Sequence, residues 1–304
     1  MIGPFVNQKP ARQQPTAQDH LVPRRHCRGP LSGRLLGLCL AFFCLTQSVG
    51  VAVADDSRLI LLLGQGPDGH PLATHEYFAG LRILKKCLDR VDGVHAEIVS
   101  ADEPFQQGPE LLDKAHGAVL FLSEGAKWLQ HDAARLEAFQ RLAARGGALS
   151  GLHWGIGCRD AQPIDKYVAL FGACHGGPDR KFAVVTTRTE LATPDHPILT
   201  GVSSVSLEDE FYYRLKLSKS NSAITPLLRV GIEGEAHMVS WAWDRPDGGR
   251  SFGFTGLHFH RNWSEPSYRR LVAQGVLWTL KLPIPTEGLN VDISTNDLTL
   301  PERK

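Results

Sequence analysis

The chain of 304 residues is 42% hydrophobic, 21% charged and 8% aromatic, which is typical of a globular protein and excludes a disordered, collagen-like or coiled-coil chain. The formal net charge of +1 hides an asymmetry. Residues 1–54 carry six Lys or Arg against one acid, whereas the rest of the chain carries 27 basic and 31 acidic residues. This acidic balance of the larger part argues against a nucleic acid as partner.

The first 54 residues have the pattern of a secretory signal peptide. A basic region, 1–34, precedes an apolar run, 35–45, and Ala52-Val-Ala54 follows. These are the three parts of such a signal, so we predict cleavage after Ala54 and a periplasmic or secreted mature protein. The alternative is an N-terminal membrane anchor, but the apolar run is short for a bilayer span. We therefore expect no stable membrane anchor after cleavage.

Three cysteines remain beyond that cleavage position: Cys87, Cys158 and Cys174. Three are too few for the disulfide framework of a small secreted domain. Cys158 and Cys174 could pair with each other, but the interpretation that we favour is three buried free thiols.

Strand and helix patterns alternate in the next hundred residues. A continuous apolar run predicts a buried strand at 58–64, and further strands are predicted at 94–99, 118–122 and 148–152. Apolar residues at three- and four-residue spacing predict helices over 74–91, capped by Thr74, and over 132–144. This alternation indicates a parallel sheet covered by helices on both faces.

The second half of the chain is richer in turns. Strands are predicted at 182–187, 210–215, 238–243 and 252–257. Asp247-Gly248-Gly249 is a hairpin signal, and residues 265–280 have the pattern of an amphipathic helix. We therefore divide the chain into three parts, namely a signal peptide, 1–54, one α/β domain, 55–282, and a C-terminal tail, 283–304.

The segment Gly151-Leu-His153-Trp-Gly155 directly follows a predicted strand. Glycines two positions before and after a residue permit a sharp strand-to-helix turn, which pushes the central side chain over the carboxyl edge of the sheet. An imidazole at that position can act as a general base, a general acid or a metal ligand. The alternative is a glycine-rich loop in which His153 only packs.

Other candidate residues also lie at predicted strand ends. His258 and His260 are two positions apart, so they should point to the same side of a strand, with Arg261 and Trp263 close behind. The other candidates follow strands or glycine turns and are His75, Trp154, His175, Glu210 and Tyr212. Because the chain has no H-x-x-x-H, H-E-x-x-H or C-x-x-C spacing, we predict no cofactor and leave a divalent metal open.

Five short motifs within residues 58–281 resemble, in order, those of the ThuA-like proteins, a family named for trehalose utilisation. They are Thr74-His75, Gly151-Leu-His153, Asp195-His196-Pro197-Ile198, Asp209-Glu210-Phe211-Tyr212, and Phe254 to Trp263 followed by Gly275-Val-Leu-Trp278. The resemblance implies a flavodoxin-like three-layer α/β sandwich with a mostly parallel central sheet, of the class I glutamine amidotransferase-like superfamily. It also implies that His153 occupies the amidotransferase nucleophile position, so we do not expect glutamine hydrolysis.

The resemblance further implies a role in carbohydrate catabolism, including pathways through 3-keto sugars. We therefore expect an exported hydrolase or lyase that acts on glycosides or 3-keto sugars, with His153 and His258 as acid/base groups and Glu210 assisting. Sugar rings present hydroxyls and one apolar face, which call for polar and aromatic partners. The expected substrate-binding residues are His75, Trp154, His175, Tyr212, His260, Arg261 and Trp263.

Two other functions stay open at this point. The same fold could serve as a non-catalytic sugar-binding or accessory module, since an enzyme that has lost the elbow cysteine can keep its pocket. An amidase or peptidase using Cys158 or a serine is the third hypothesis. The sequence does not decide between His258 and His260 as the family's late-strand histidine, and it leaves a homo-oligomer open.

Overall fold

The computed structural model describes residues 57–220 and 223–300. The predicted signal peptide, 1–54, lies outside these residues. Within the described part, no helix has the length and apolar character needed to cross a membrane.

Strands and helices alternate along the chain. The first half contains β1 (Arg58–Gly64), α1 (Tyr77–Leu88), β2 (Val94–Ser100), α2 (Gly108–Lys114), β3 (Gly117–Phe121), α3 (Gly125–His131), α4 (Ala133–Ala144) and β4 (Ala148–Leu152). The second half contains β5 (Gly157–Cys158), α5 (Ile164–Phe171), β6 (Ala173–Gly176), β7 (Lys181–Leu191), β8 (Ser206–Tyr213), β9 (Lys216–Leu217), β10 (Ile224–Ile232), β11 (Glu235–Asp244), β12 (Arg250–Phe254) and α6 (Pro266–Thr279). Short 3-10 turns occur at His153–Ile156, Pro197–Leu199, His260–Ser264 and Thr295–Leu298.

Nine strands of the described chain form one mixed sheet, in the order β2-β1-β3-β4-β12-β11-β10-β7-β8. The strands from β2 to β12 in this order are parallel, and those from β11 to β8 run antiparallel to their neighbours. The carboxyl ends of β1, β3, β4 and β12 therefore lie side by side. Ligands of α/β proteins bind at this edge of the sheet.

Helices cover both faces of the parallel part of the sheet. The cores of the two faces are separate, with α1 and α6 contributing to one and α3, α4 and α5 to the other. Ile60 to Leu63 of β1 are 0% exposed, with successive side chains in opposite cores. A strand buried on both faces needs a continuous apolar run, and the three-layer α/β prediction is confirmed.

Several local predictions need correction. The first helix begins at Tyr77 and Thr74 does not cap it. Thr74 instead donates its hydroxyl to the Pro71 carbonyl at 2.6 Å and pairs with Phe259. The predicted strand 252–257 ends at Phe254, and 210–215 ends at Tyr213.

The segment after residue 282 is irregular but anchored. Leu289 and Val291 are buried. The Arg269 guanidinium donates to the Val291 carbonyl at 2.7 Å, and Lys86 forms an ion pair with Asp297 at 2.7 Å. The free-thiol prediction is confirmed, because Cys87, Cys158 and Cys174 are all buried and unpaired.

Candidate metal centre

Three imidazoles meet at the carboxyl edge of the sheet. His153 directly follows β4, His75 lies in the loop between β1 and α1, and His258 lies beyond the end of β12. His75 Nε2 is 3.0 Å from His153 Nε2 and 3.1 Å from His258 Nδ1, and the last two atoms are 3.2 Å apart. The parallel strands thus bring together residues that are up to 183 positions apart in sequence.

Hydrogen bonds on the far side of two rings define their tautomers. His75 Nδ1 donates to Asp68 Oδ2 at 2.9 Å, and His153 Nδ1 donates to the Thr255 carbonyl at 2.8 Å. Because a carboxylate and a carbonyl can only accept, the facing Nε2 atoms of both rings carry lone pairs. Two lone pairs 3.0 Å apart are unfavourable, and a cation between them would turn both into ligands.

Burial keeps these rings neutral. It lowers the pKa of His153 well below the ordinary value and lowers the pKa of His258 to about 3. For His75, burial lowers the pKa more than the hydrogen bond to Asp68 raises it. Neutral imidazole is the form that binds a metal ion, so at neutral pH no proton has to be displaced.

The backbone around the three rings is strained. His75 has φ 52°, His153 has φ 45°, and Leu257, which precedes His258, has φ 77°. Such left-handed conformations are unfavourable for residues other than glycine and cluster at functional sites. At the turn after β4, Gly155 is required by packing, because a Cβ there would lie 2.4 Å from the Leu120 carbonyl oxygen.

Asp68 holds the outer side of His75. Its Oδ2 also accepts the Tyr77 hydroxyl at 2.6 Å, and its Oδ1 lies 2.8 Å from His70 Nδ1. Burial alone would raise the pKa of Asp68, but the hydrogen bonds from His75 and Tyr77 hold it well below the usual range. A carboxylate behind an imidazole is the arrangement that orients metal-binding histidines. Asp68 and Tyr77 are not among the site residues predicted from the sequence.

Strand β8 places Glu210 and Tyr212 beside the imidazoles. Glu210 Oε1 is 3.7 Å from His258 Nδ1 and 3.9 Å from His153 Nε2. The Tyr212 hydroxyl is 3.1 Å from His153 Nε2. Burial raises the pKa of Glu210, so its carboxylate is a stronger base than an exposed one. Its position in the cluster would also let it approach a cation held by the imidazoles.

Asp209, the residue before Glu210, fixes the loop that carries His258. It is fully buried and accepts the backbone N–H groups of Leu257, at 2.7 Å, and His258, at 3.1 Å. Burial raises the pKa of Asp209 to about 7. Strand β8 thus places the Glu210 carboxylate at the site and the Asp209 carboxylate against the backbone of the loop that carries His258.

A pocket lined by His75, Glu210 and Tyr212 opens toward solvent beside the three imidazoles. His175 and Tyr212 stack within it, with ring centroids 3.9 Å apart, and Trp154 lies beside them. Arg159, Arg180 and Phe182 also line the pocket. A larger cavity lies at the opposite edge of the sheet, near the starts of β1 and β4, away from the histidines.

Three of the predicted binding residues lie apart from this pocket. Because β12 ends at Phe254, strand alternation does not extend to His260, which begins a 3-10 turn and is buried elsewhere. Arg261 forms an ion pair with Glu208 at 2.6 Å. Trp263 is 1% exposed and packs in the core, so it cannot stack on a sugar ring. Of the late pair, only His258 reaches the centre.

Comparisons with known proteins agree with this architecture. The sequence model of the ThuA family, described as trehalose utilisation, matches residues 70–279. A crystal structure of a putative ThuA-like protein from Bacteroides uniformis aligns with a TM-score of 0.58 and 14% identity, covering 76% of this chain and 94% of that one. One from Parabacteroides merdae aligns with a TM-score of 0.56 and 13% identity, covering 81% of this chain and 100% of that one.

PurLQS from Thermotoga maritima aligns with a TM-score of 0.44 and 12% identity, covering 74% of this chain and 98% of that one. No protein of curated function matches the sequence. The expected α/β fold is confirmed by the two ThuA-like structures. Since the matched region spans well over half of the chain, the protein belongs to the ThuA family.

Proposed function

We propose that this protein is an exported, divalent-metal-dependent enzyme of carbohydrate catabolism, which acts as a lyase or hydrolase on glycosides of keto sugars. The observation that carries the proposal is the meeting of three neutral imidazole nitrogens within 3.2 Å of one another. Two nitrogens that bind the same zinc ion at a tetrahedral angle lie about 3.3 Å apart. Small outward shifts of the three imidazoles would therefore make room for a cation. Trehalose utilisation, the description of the family, supports a sugar as substrate.

The ligand set favours a catalytic over a structural metal site. Structural zinc sites use four protein ligands, whereas catalytic sites use three and leave a position for substrate or water. Here His75, His153 and His258 provide three nitrogens, and Glu210, the fourth member of the cluster, lines the pocket, where we assign it to acid/base chemistry instead of a ligand role. The backing of His75 by Asp68 and of His153 by a backbone carbonyl is the support that such ligands need.

A bound cation would supply Lewis-acid polarisation of a substrate carbonyl. Glu210 is then the base, because its pKa is raised by burial and its carboxylate lies within 4 Å of two of the imidazoles. In a 3-keto glycoside, Glu210 would take the proton from C2, next to the carbonyl. The C2–H electrons form the C1–C2 double bond, the C1–O bond breaks, and the leaving oxygen receives a proton from Glu210.

This mechanism changes two roles expected from the sequence. His153 and His258 would hold the cation and would not transfer protons, since their low pKa values make them weak bases. Glu210 takes the central acid/base role. Tyr212, whose hydroxyl is 3.1 Å from His153 Nε2, can hydrogen-bond an oxygen of the substrate.

The first test measures metal binding directly. Purified protein, stripped and then titrated with Zn²⁺, is expected to bind one ion, and His258→Gln is expected to lose that binding. His260→Gln is the matched control and should retain it, because His260 lies outside the centre. Loss of binding in both variants, or in neither, would contradict the ligand assignment.

The second test compares turnover of a 3-keto glucoside with that of the plain glucoside. The metal-loaded wild type should convert the keto substrate, and a chelator or Glu210→Gln should abolish conversion. Turnover that persists after chelation would reject the role of the metal. Sugar binding without conversion of either substrate would favour the non-catalytic module.

A further inference from the structure

We infer that the pocket beside the metal centre selects substrates that carry a carboxylate on the part of the molecule distant from the cation. This inference rests on the proposed function, because it concerns the same pocket. It identifies the substrate class by charge, which the family resemblance does not indicate.

Arg180 provides the positive charge. Its side chain is half-buried and lines the pocket, and its guanidinium donates to the Gly177 carbonyl at 3.3 Å. Within 57–220 and 223–300, no carboxylate lies within ion-pair distance of this guanidinium. The neighbouring Asp179 pairs with Lys216 instead. The charge of Arg180 is therefore not neutralised by these residues.

The other arginine of the pocket is already engaged. Arg159 forms an ion pair with Glu124 and lies over the Trp154 ring, 5.5 Å from its centroid. The two arginines thus have different roles. Arg159 supports the wall, and Arg180 is available to a ligand.

An exposed aromatic ring lies beside Arg180. Phe182 is 54% exposed, unusual for a large apolar side chain, and its ring meets the His175 ring edge-on with centroids 6.4 Å apart. His175 in turn stacks on Tyr212. The rings make an apolar wall on which a ligand ring can stack, next to the guanidinium.

The single positive charge of Arg180 favours a carboxylate over a phosphate as ligand. One guanidinium forms two parallel hydrogen bonds with a carboxylate and balances its single charge. A phosphate would bring about two negative charges and require a second free cation. Arg159, the other arginine of the pocket, is paired with Glu124.

The test uses two ligands that differ in one group, 4-carboxyphenyl β-glucoside and 4-(hydroxymethyl)phenyl β-glucoside. Neither has a keto group, so calorimetry of metal-loaded protein at low salt reads binding without turnover. We expect the wild type to bind the carboxylate ligand about tenfold more tightly, as for a charge-assisted hydrogen bond. Arg180→Gln should remove the preference.

Arg188→Gln is the control, because it removes one positive charge just as Arg180→Gln does. Arg188 is exposed on β7, about 20 Å beyond Phe182 at the rise of a strand, and should leave the preference intact. The inference would be overturned if the wild type bound the two ligands with equal affinity, if it did not bind the carboxylate ligand, or if the preference survived Arg180→Gln.

Turnover of the 3-keto forms of both ligands is measured separately. Conversion without carboxylate preference rejects this inference alone, and preference without conversion rejects the enzyme alone.

Discussion

Asp68 is the residue on which the orientation of His75 depends. Its carboxylate accepts the imidazole N–H at 2.9 Å and the Tyr77 hydroxyl at 2.6 Å, and its side chain is 10% exposed. Asp68→Asn keeps the size but weakens the acceptor and removes the charge. We expect it to lower Zn²⁺ affinity by about 10- to 100-fold, as for other residues behind metal ligands. Competition with a chelating dye measures the change.

Asp113→Asn is the matched control, since Asp113 pairs with Arg141 on the surface. It should leave Zn²⁺ affinity unchanged. If both variants bind Zn²⁺ as the wild type does, Asp68 has no part in orienting a ligand.

The candidate site could be only partly predicted at the scale of residues. His75, His153 and His258 were identifiable because each lies near a predicted strand end at the same sheet edge. Asp68 and Tyr77 carry no such signal, because their loop and helix positions become informative only when His75 is placed. The sequence predicts Trp263 in the pocket because it follows His258 closely, but a 3-10 turn directs it into the core.

At the scale of elements, the turn from β4 into His153 depends on close backbone packing. A Cβ at Gly155 would lie 2.4 Å from the Leu120 carbonyl oxygen, so β3 would have to move. We expect Gly155→Ala to lower the free energy of unfolding by about 2–4 kcal/mol. Urea denaturation of the metal-free protein measures this value.

Gly231→Ala supplies the comparison, because a Cβ there meets nothing within 4 Å. We expect its effect to stay within about 1 kcal/mol. Similar stabilities for the two variants would show that the contact with β3 relaxes without cost.

Elements with a single periodicity were the predictable ones. Apart from Arg58 and Ser150, β1, β3 and β4 are apolar because both of their faces are buried, and their predicted bounds agree with the structure within one residue. By contrast, α2 and α3 have seven residues each, too few for a helical period to repeat. β10 contains Pro226 and Gly231, which are turn signals in sequence but lie in the strand, next to an irregular register at Pro226.

At the scale of the whole molecule, the segment beyond α6 closes the face formed by α1 and α6. Val291 is 1% exposed and its carbonyl accepts the Arg269 guanidinium. We expect Val291→Ala to lower the free energy of unfolding by about 1–3 kcal/mol, because it leaves a cavity in that layer. Val184→Ala on the exposed face of β7 is the control, since Val184 is 49% exposed. Equal thermal midpoints would mean that the segment only lies on the surface.

The metal centre should also couple to the stability of the entire domain. Its three nitrogens come from residues 75, 153 and 258, which only the folded sheet brings together. A cation that binds the folded but not the unfolded chain stabilises the fold by about 2.7 kcal/mol at 100 times its Kd. Zn²⁺ should therefore raise the thermal midpoint of the wild type, and a chelator should reverse the rise. In His258→Gln the same Zn²⁺ concentration should give little change, whereas an equal rise in both proteins would place the binding elsewhere on the chain.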